Sequence, residues 1–158
     1  PFAQTLGLDD EVAQARPDVH FVTAGHEFAE VADYVPHDRW THLPWLPLDR
    51  YPLLYQEIDI GCAPLAPSIF NGCKSPIKVM EYAAAGAAAV ASPTVYADVF
   101  PEETGCIIAS DVGEWTRALM RLLSPSERGE RVRALRGHVA ATLSLEAQWP
   151  QILRSLAA

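Results

Sequence analysis

Of the twelve basic residues in this chain only Lys74 and Lys78 are lysines, and every other cation is an arginine. With Glu81 they fall at i, i+4 and i+7 within NGCKSPIKVMEY at 71–82, a spacing that places all three on one face of a helix. The start of a helix carries partial positive charge and unpaired N–H groups. A lysine in the first turn is therefore opposed by about 0.3–1 kcal/mol unless an anion sits beside it. A diphosphate would be such an anion, accepting N–H bonds from the loop at Gly72 to Ser75 and a charge from each lysine. Glu81, one turn deeper, could then accept from ribose or sugar hydroxyls. The same spacing fits a plain surface helix equally well, with Lys78 and Glu81 as an i, i+3 ion pair worth a few tenths of a kcal/mol and Lys74 solvated.

The elements around this segment decide what it can face. Short apolar runs alternate with longer stretches of helical spacing, the pattern of an α/β sheet. VHFVTAG at 19–25 reads as a buried strand and WTHLPWL at 40–46 as a second, weakened by Pro44. RYPLLYQEI at 50–58 reads as a short helix with Leu53, Leu54 and Ile58 apolar, and DIGCAPL at 59–65 as the third strand. A helix over 75–86 follows, with Pro76 in its first turn and Gly86 just past its end. Strands at 87–92 and 105–109 come next. Asp111 with Glu114 caps a helix whose Trp115, Leu119, Leu122 and Leu123 share a face. Two more helices follow Ser124-Pro125 and Leu143-Ser144, with no strand after 109. Near the start, a helix ends close to Ala15. The lysines thus lie in the loop after a strand, where ligands of open α/β sheets bind.

Composition narrows the classes. At 158 residues and 49% hydrophobic, the chain holds one core, so residues 1–158 read as a single domain. A net charge of -8 disfavours nucleic acid and anionic membrane surfaces as partners. No run approaches the roughly 18–20 apolar residues of a transmembrane segment. Three widely spaced cysteines, Cys62, Cys73 and Cys106, favour a reducing compartment, the cytoplasm.

The stretch from DIGCAPL through FNGCKSPIKVMEYAAAGAAAVASPTVY to GCIIA resembles the donor-binding domain of GT-B glycosyltransferases of the group 1 type. The resemblance spans roughly 19–158 and is most specific over 70–92. It implies a Rossmann-like open parallel sheet with flanking helices that binds a nucleotide-sugar as substrate, with no cofactor and no metal ion. The common pattern carries two glutamates with seven residues between them, and here the first falls at Cys73, leaving only Glu81. Lys74-Ser75-Pro76 stands where a G-F-G stretch is usual. This is similar to a branch with an F-N-x-x-K-S-x-x-K-x-x-E-Y signature, found in bacterial polysaccharide-associated enzymes. That likeness gives Lys74, Ser75 and Lys78 to the phosphates and Glu81 to the ribose, with Asn71 and Gly72 beside them among the substrate-binding residues. It further implies an N-terminal acceptor domain outside this chain, which supplies the acceptor site and usually a catalytic side chain, so that the chain alone transfers no sugar. The final helix, around Leu145 to Leu156, would turn back toward that domain with Trp149, Ile152, Leu153 and Leu156 as its apolar face.

Other candidates carry less. His20, His26, His37, His42 and His138 show no metal spacing, and His26, after the glycine ending the first strand, is the best placed to line a cleft. Glu57-Ile58-Asp59 reads as an element boundary rather than a metal-binding pair. Trp40, Trp45, Pro44 and Pro47 read as packing. A receiver domain would want an aspartate ending a central strand, and Asp59 begins one. A nicotinamide-binding domain would want G-x-G-x-x-G after a strand, and none occurs. A GT-B epimerase or phosphorylase, or a non-catalytic binding module, remain as alternatives that share the fold.

Overall fold

The computed structural model describes residues 10–25 and 33–156. Helix α1 (Asp10–Ala15) leads to β1 (Phe21–Ala24) and β2 (Trp40–Leu43), which pair in parallel with Phe21 opposite Trp40 and Ala24 opposite Leu43. A one-turn helix, α2 (Tyr51–Leu54), passes directly into a 3-10 turn at Tyr55–Glu57 and then β3 (Ile60–Ala63). The short α3 (Ile69–Gly72) precedes α4 (Ile77–Ala85) and β4 (Ala88–Ala91). After α5 (Pro93–Tyr96) and β5 (Ile107–Ile108), the chain ends in α6 (Val112–Leu122), α7 (Pro125–His138) and α8 (Leu145–Leu156). No helix among the described residues is long and apolar enough to cross a membrane.

The α/β class and parallel strands agree with the sequence reading, but the expected single sheet is two among the described residues. One ladder is β1–β2 and the other is β3–β4–β5 in that order. The crossover through α2 and the 3-10 turn carries the chain from β2 to β3 without setting those strands side by side. The 50–58 helix is also split. Only one turn is α-helical, with Pro52 at its start, and the rest tightens into 3-10 geometry.

Strand β4 organises the core. All four of its residues are buried, and alternation sends Ala89 and Ala91 to one face and Ala88 and Val90 to the other. On the first face they meet Val79, Tyr82 and Ala83 of α4, with Tyr96, Phe100 and Leu135. On the second they meet Val12, Trp115, Ala118, Leu119 and Leu122. Small side chains let helices approach closely, and the large ones supply the buried area, about 1.5–3 kcal/mol for each fully buried Leu or Phe. Trp115, Leu119 and Leu122 of the α6 face are buried as expected, whereas Leu123 is the half-buried C-cap just past the helix. Its cap also holds, with Asp111 Oδ1 accepting from the Glu114 amide at 2.8 Å while Glu114 Oε2 accepts from the Ser110 amide at 2.8 Å.

Helix α4 is tied to this core by a close approach. A methyl group on Gly61 of β3 would fall inside the Tyr82 ring, so only glycine lets the ring lie on the strand. From there Tyr82 donates its hydroxyl to the Cys62 carbonyl at 2.9 Å. The helix ends at Gly86, whose φ of 86° is the left-handed conformation expected of a glycine C-cap. Its start differs from expectation. Pro76 is the N-cap and the first helical residue is Ile77. Ser75 precedes a proline, which disfavours the helical region for it and separates Lys74 from the helix.

Candidate functional site

The loop joining β3 to α4 leaves the carboxyl end of the sheet, and the residues after β4 latch it. Ser92, the N-cap residue of α5, makes no side-chain cap bond to it; its hydroxyl instead accepts the Leu65 amide at 2.8 Å. Thr94 Oγ1 donates to the Leu65 carbonyl at 2.9 Å. Ser68 caps α3 by accepting the Asn71 amide at 3.1 Å, and Asn71 Nδ2 donates to the Ala66 carbonyl at 2.8 Å. Asn71 therefore shapes the loop with its side chain, and Gly72, the last residue of α3, has open space around it.

Three of the four loop amides expected to face a diphosphate are already donors within the turn. Gly72 bonds the Ser68 carbonyl at 2.9 Å, Cys73 that of Phe70 at 3.2 Å and Lys74 that of Asn71 at 3.2 Å. Among the described residues the Ser75 amide has no such acceptor. It stands next to the start of α4, where Pro76 offers no side-chain cap. The first amides of α4 are therefore left to solvent or to a ligand. Lys74 and Ser75 are exposed. Among the described residues Lys74 makes no ion pair. Its ammonium lies 5.1 Å from the centre of the exposed Phe70 ring.

Lys78 and Glu81 are in a different setting, and only they share the helical face that the spacing assigned to all three. Their i, i+3 ion pair forms at 3.3 Å, half-exposed on both sides. The plain surface-pair reading describes this contact, yet two tyrosines that sequence reasoning did not single out enlarge it. Lys78 Nζ donates to Tyr55 Oη at 2.6 Å and to Tyr51 Oη at 3.4 Å, and Tyr55 Oη donates to Glu81 Oε2 at 2.9 Å. The ammonium also lies 4.6 Å from the Tyr51 ring centre and 5.3 Å from that of Tyr55. Burial first, and then the bond to Glu81, push the Tyr55 hydroxyl well above its ordinary range, so at neutral pH it is a proton donor. The signal for these residues was present: Tyr51 and Tyr55 stand at i, i+4 in YPLLY, one face of a short helical segment.

Two concave surfaces lie away from these six residues. One is bounded by Glu102, Arg121, Glu127 and Arg131, the other by apolar Val22, Leu43, Leu53 and Ile58. The polar and ion-paired lining of the first and the apolar lining of the second carry none of the lysine chemistry, so the loop and α4 remain the candidate site. The four described histidines have local contacts. His20 bonds Thr41, His42 bonds Thr23 and His138 bonds the Val99 carbonyl, while His37 lies 6.2 Å from the Trp40 ring. His26 lies outside the described residues. Asp59 pairs with Arg128 at 3.2 Å, as a boundary residue can. Trp40 packs as expected, donating to Thr23 at 3.0 Å, but Trp45 is 69% exposed and lies over Gly25.

Comparison with known proteins bears on the same segment. The family model of the glycosyl transferases group 1 matches residues 8–125, which contain both the loop and α4. No curated protein sequence matches the chain. Among solved structures it is similar to a sucrose-phosphate synthase from Thermosynechococcus elongatus, with a TM-score of 0.72 at 19% identity. That match covers 99% of this chain and 43% of the other, so the likeness is one of fold, to one half of a GT-B enzyme. With the family model spanning most of its length, the chain belongs to the group 1 glycosyl transferases.

Proposed function

We propose that this chain binds the nucleoside diphosphate of an activated sugar and serves as the donor-binding half of a glycosyltransferase. The observation that carries the reading is the start of α4. An uncapped helix end, the Ser75 amide and a lysine with no acidic partner among the described residues come together in sequence at the carboxyl end of a parallel sheet. That combination offers donors and charge to a diphosphate and nothing to a cation. In this reading Lys74, Ser75 and Lys78 take the phosphates, and Asn71 and Gly72 keep the loop open to them. Glu81 accepts from ribose hydroxyls, and lysines rather than a metal ion neutralise the diphosphate. Family membership supports sugar transfer as the reaction, the F-N-x-x-K-S-x-x-K-x-x-E-Y likeness supports a role in surface polysaccharide or glycoconjugate synthesis, and the three free cysteines support the cytoplasm as its place.

The acceptor and a catalytic group belong, in the same proposal, to a further domain across the cleft. Trp149, Ile152, Leu153 and Leu156 of α8 are 49%, 36%, 48% and 78% exposed, an apolar stripe suited to such a contact.

Calorimetry with UDP, GDP, ADP and pyrophosphate tests the proposal. Losing a charge-assisted contact costs about 1.5–3 kcal/mol, so Lys74→Ala and Lys78→Ala should each weaken binding by roughly ten- to hundred-fold. Glu81→Gln should weaken the nucleotides and spare pyrophosphate. The control is Arg133→Ala on the exposed side of α7, because Arg131, whose side chain is 15% exposed, pairs with Glu127 and is not a neutral surface position. Equal affinity in both lysine variants and the unmodified chain would overturn the site, and sugar transfer by the chain alone would overturn the division of labour.

A further inference from the structure

We infer that Tyr55 is the positioning residue of this site, its hydroxyl holding Glu81 and Lys78 in the arrangement that receives the ribose and phosphates. The inference rests on the donor-site reading above and deepens it.

Tyr55 is 6% exposed and so is part of the core as much as of the site. Its ring is wedged edge-on between Tyr51, 5.6 Å away, and Tyr82, 5.4 Å away. Tyr82 is in turn seated on β3 over Gly61. The hydroxyl is thus a fixed point, reached through two stiff torsions, whereas Lys78 and Glu81 are long and flexible. Flexible side chains lose rotamer freedom when a ligand orders them, and a residue that orders them beforehand removes that cost from binding.

The hydrogen bonds show how one hydroxyl does this. It accepts from Lys78 Nζ at 2.6 Å and donates to Glu81 Oε2 at 2.9 Å, closing a triangle with the 3.3 Å ion pair. Both contacts that reach Glu81 use its Oε2. Among the described residues Oε1 accepts no hydrogen bond, so the triangle leaves one carboxylate oxygen oriented and free to accept from a ligand hydroxyl. Tyr51 plays a lesser part. Its hydroxyl is at 3.4 Å from Nζ and its main contribution is the ring face beneath the ammonium.

A double-mutant cycle read by calorimetry tests this, because a residue acting through Glu81 loses its effect once Glu81 is disabled. Tyr55→Phe keeps the ring and removes the hydroxyl. It should weaken nucleoside diphosphate binding by roughly ten-fold, the scale of one hydrogen bond to a charged group. In a Glu81→Gln background the part of that loss that runs through Glu81 disappears and only the part through Lys78 remains, so the same change should cost less than about five-fold, while Tyr51→Phe should cost less than about two-fold in either background. Additive losses from Tyr55→Phe and Glu81→Gln would show a merely structural role and overturn the inference, as would unchanged affinity in Tyr55→Phe. If Glu81→Gln and both lysine variants bind like the unmodified chain, the donor-site reading itself falls and takes this inference with it. Thermal melts of each variant separate loss of fold from loss of binding.

Discussion

Lys74 and Lys78 are four residues apart and live in different environments. Lys78 belongs to a helix whose inner face is part of the core, and its charge is held by two tyrosines and a carboxylate. Lys74 belongs to an exposed loop, and among the described residues its ammonium lies over only a phenylalanine that is itself 74% exposed. The contrast separates two tasks of a binding site. A helix locked to a sheet gives fixed geometry, and a loop with open space around it gives access. If that division is right, changes beneath α4 should be costly and matching changes in the loop cheap.

The largest effect should come from removing the tie between α4 and β3. Tyr82 is 7% exposed, packs on Gly61 and Tyr55, and bonds the Cys62 carbonyl. Truncating a buried aromatic costs about 3–5 kcal/mol. Tyr82→Ala should therefore lower stability by that amount, a large part of the roughly 5–15 kcal/mol of a typical domain. Urea denaturation measures it, and a loss under about 1 kcal/mol would mean α4 is anchored elsewhere.

A pair of glycines gives a smaller and sharper contrast. A methyl group at Gly61 collides with the Tyr82 ring, which cannot yield without losing its hydroxyl bond, so Gly61→Ala should cost about 1–3 kcal/mol. Gly72 in α3 has nothing within 4 Å of the same position and no positive φ. There the alanine reduces unfolded-chain entropy and should be neutral or stabilising by up to about 1 kcal/mol. Equal costs at the two positions, seen as equal shifts in melting midpoint, would abolish the distinction between anchored helix and open loop.

The same division explains what could be read from residue order alone. Strand positions, the α6 cap and buried face, and the Gly86 end of α4 depend on contacts nearby in sequence or on strong periodicity, and each was legible. The start of α4 falls at Ile77, two residues after the expected Ser75, because a proline suits both an N-cap and a first turn. That shift takes Lys74 off the helical face. The latch of Ser92 and Thr94 on Leu65 joins positions 27 and 29 residues apart, and Tyr55 meets Glu81 across 26. Such pairings follow from the crossover and the sheet, and no local pattern announces them.

The smallest expected effect on stability, and the most selective probe of the contrast, comes from the three cysteines. Cys73 is exposed in the loop, Cys106 is buried, and Cys62 packs in β3 beside the second core cluster. Burial pushes the thiols of Cys62 and Cys106 up to about 12 from an ordinary 9.0. The thiolate is the reactive form, so at pH 8 a thiol reagent should modify Cys73 and leave the other two until the protein unfolds. A small adduct at Cys73 has no core contact to break and should leave the melting temperature unchanged. A bulky one sits beside Lys74 and should block nucleoside diphosphate binding. The buried thiols add an alkaline signature of fixed sign. Above pH 9 the unfolded chain releases protons that the folded chain keeps, so their contribution to stability is intact below pH 9 and is lost as pH rises toward 12. Fast modification of more than one thiol in the native protein would show that β3 and its neighbours open as readily as the loop. The comparison between a fixed helix and an accessible loop would then fail at its foundation.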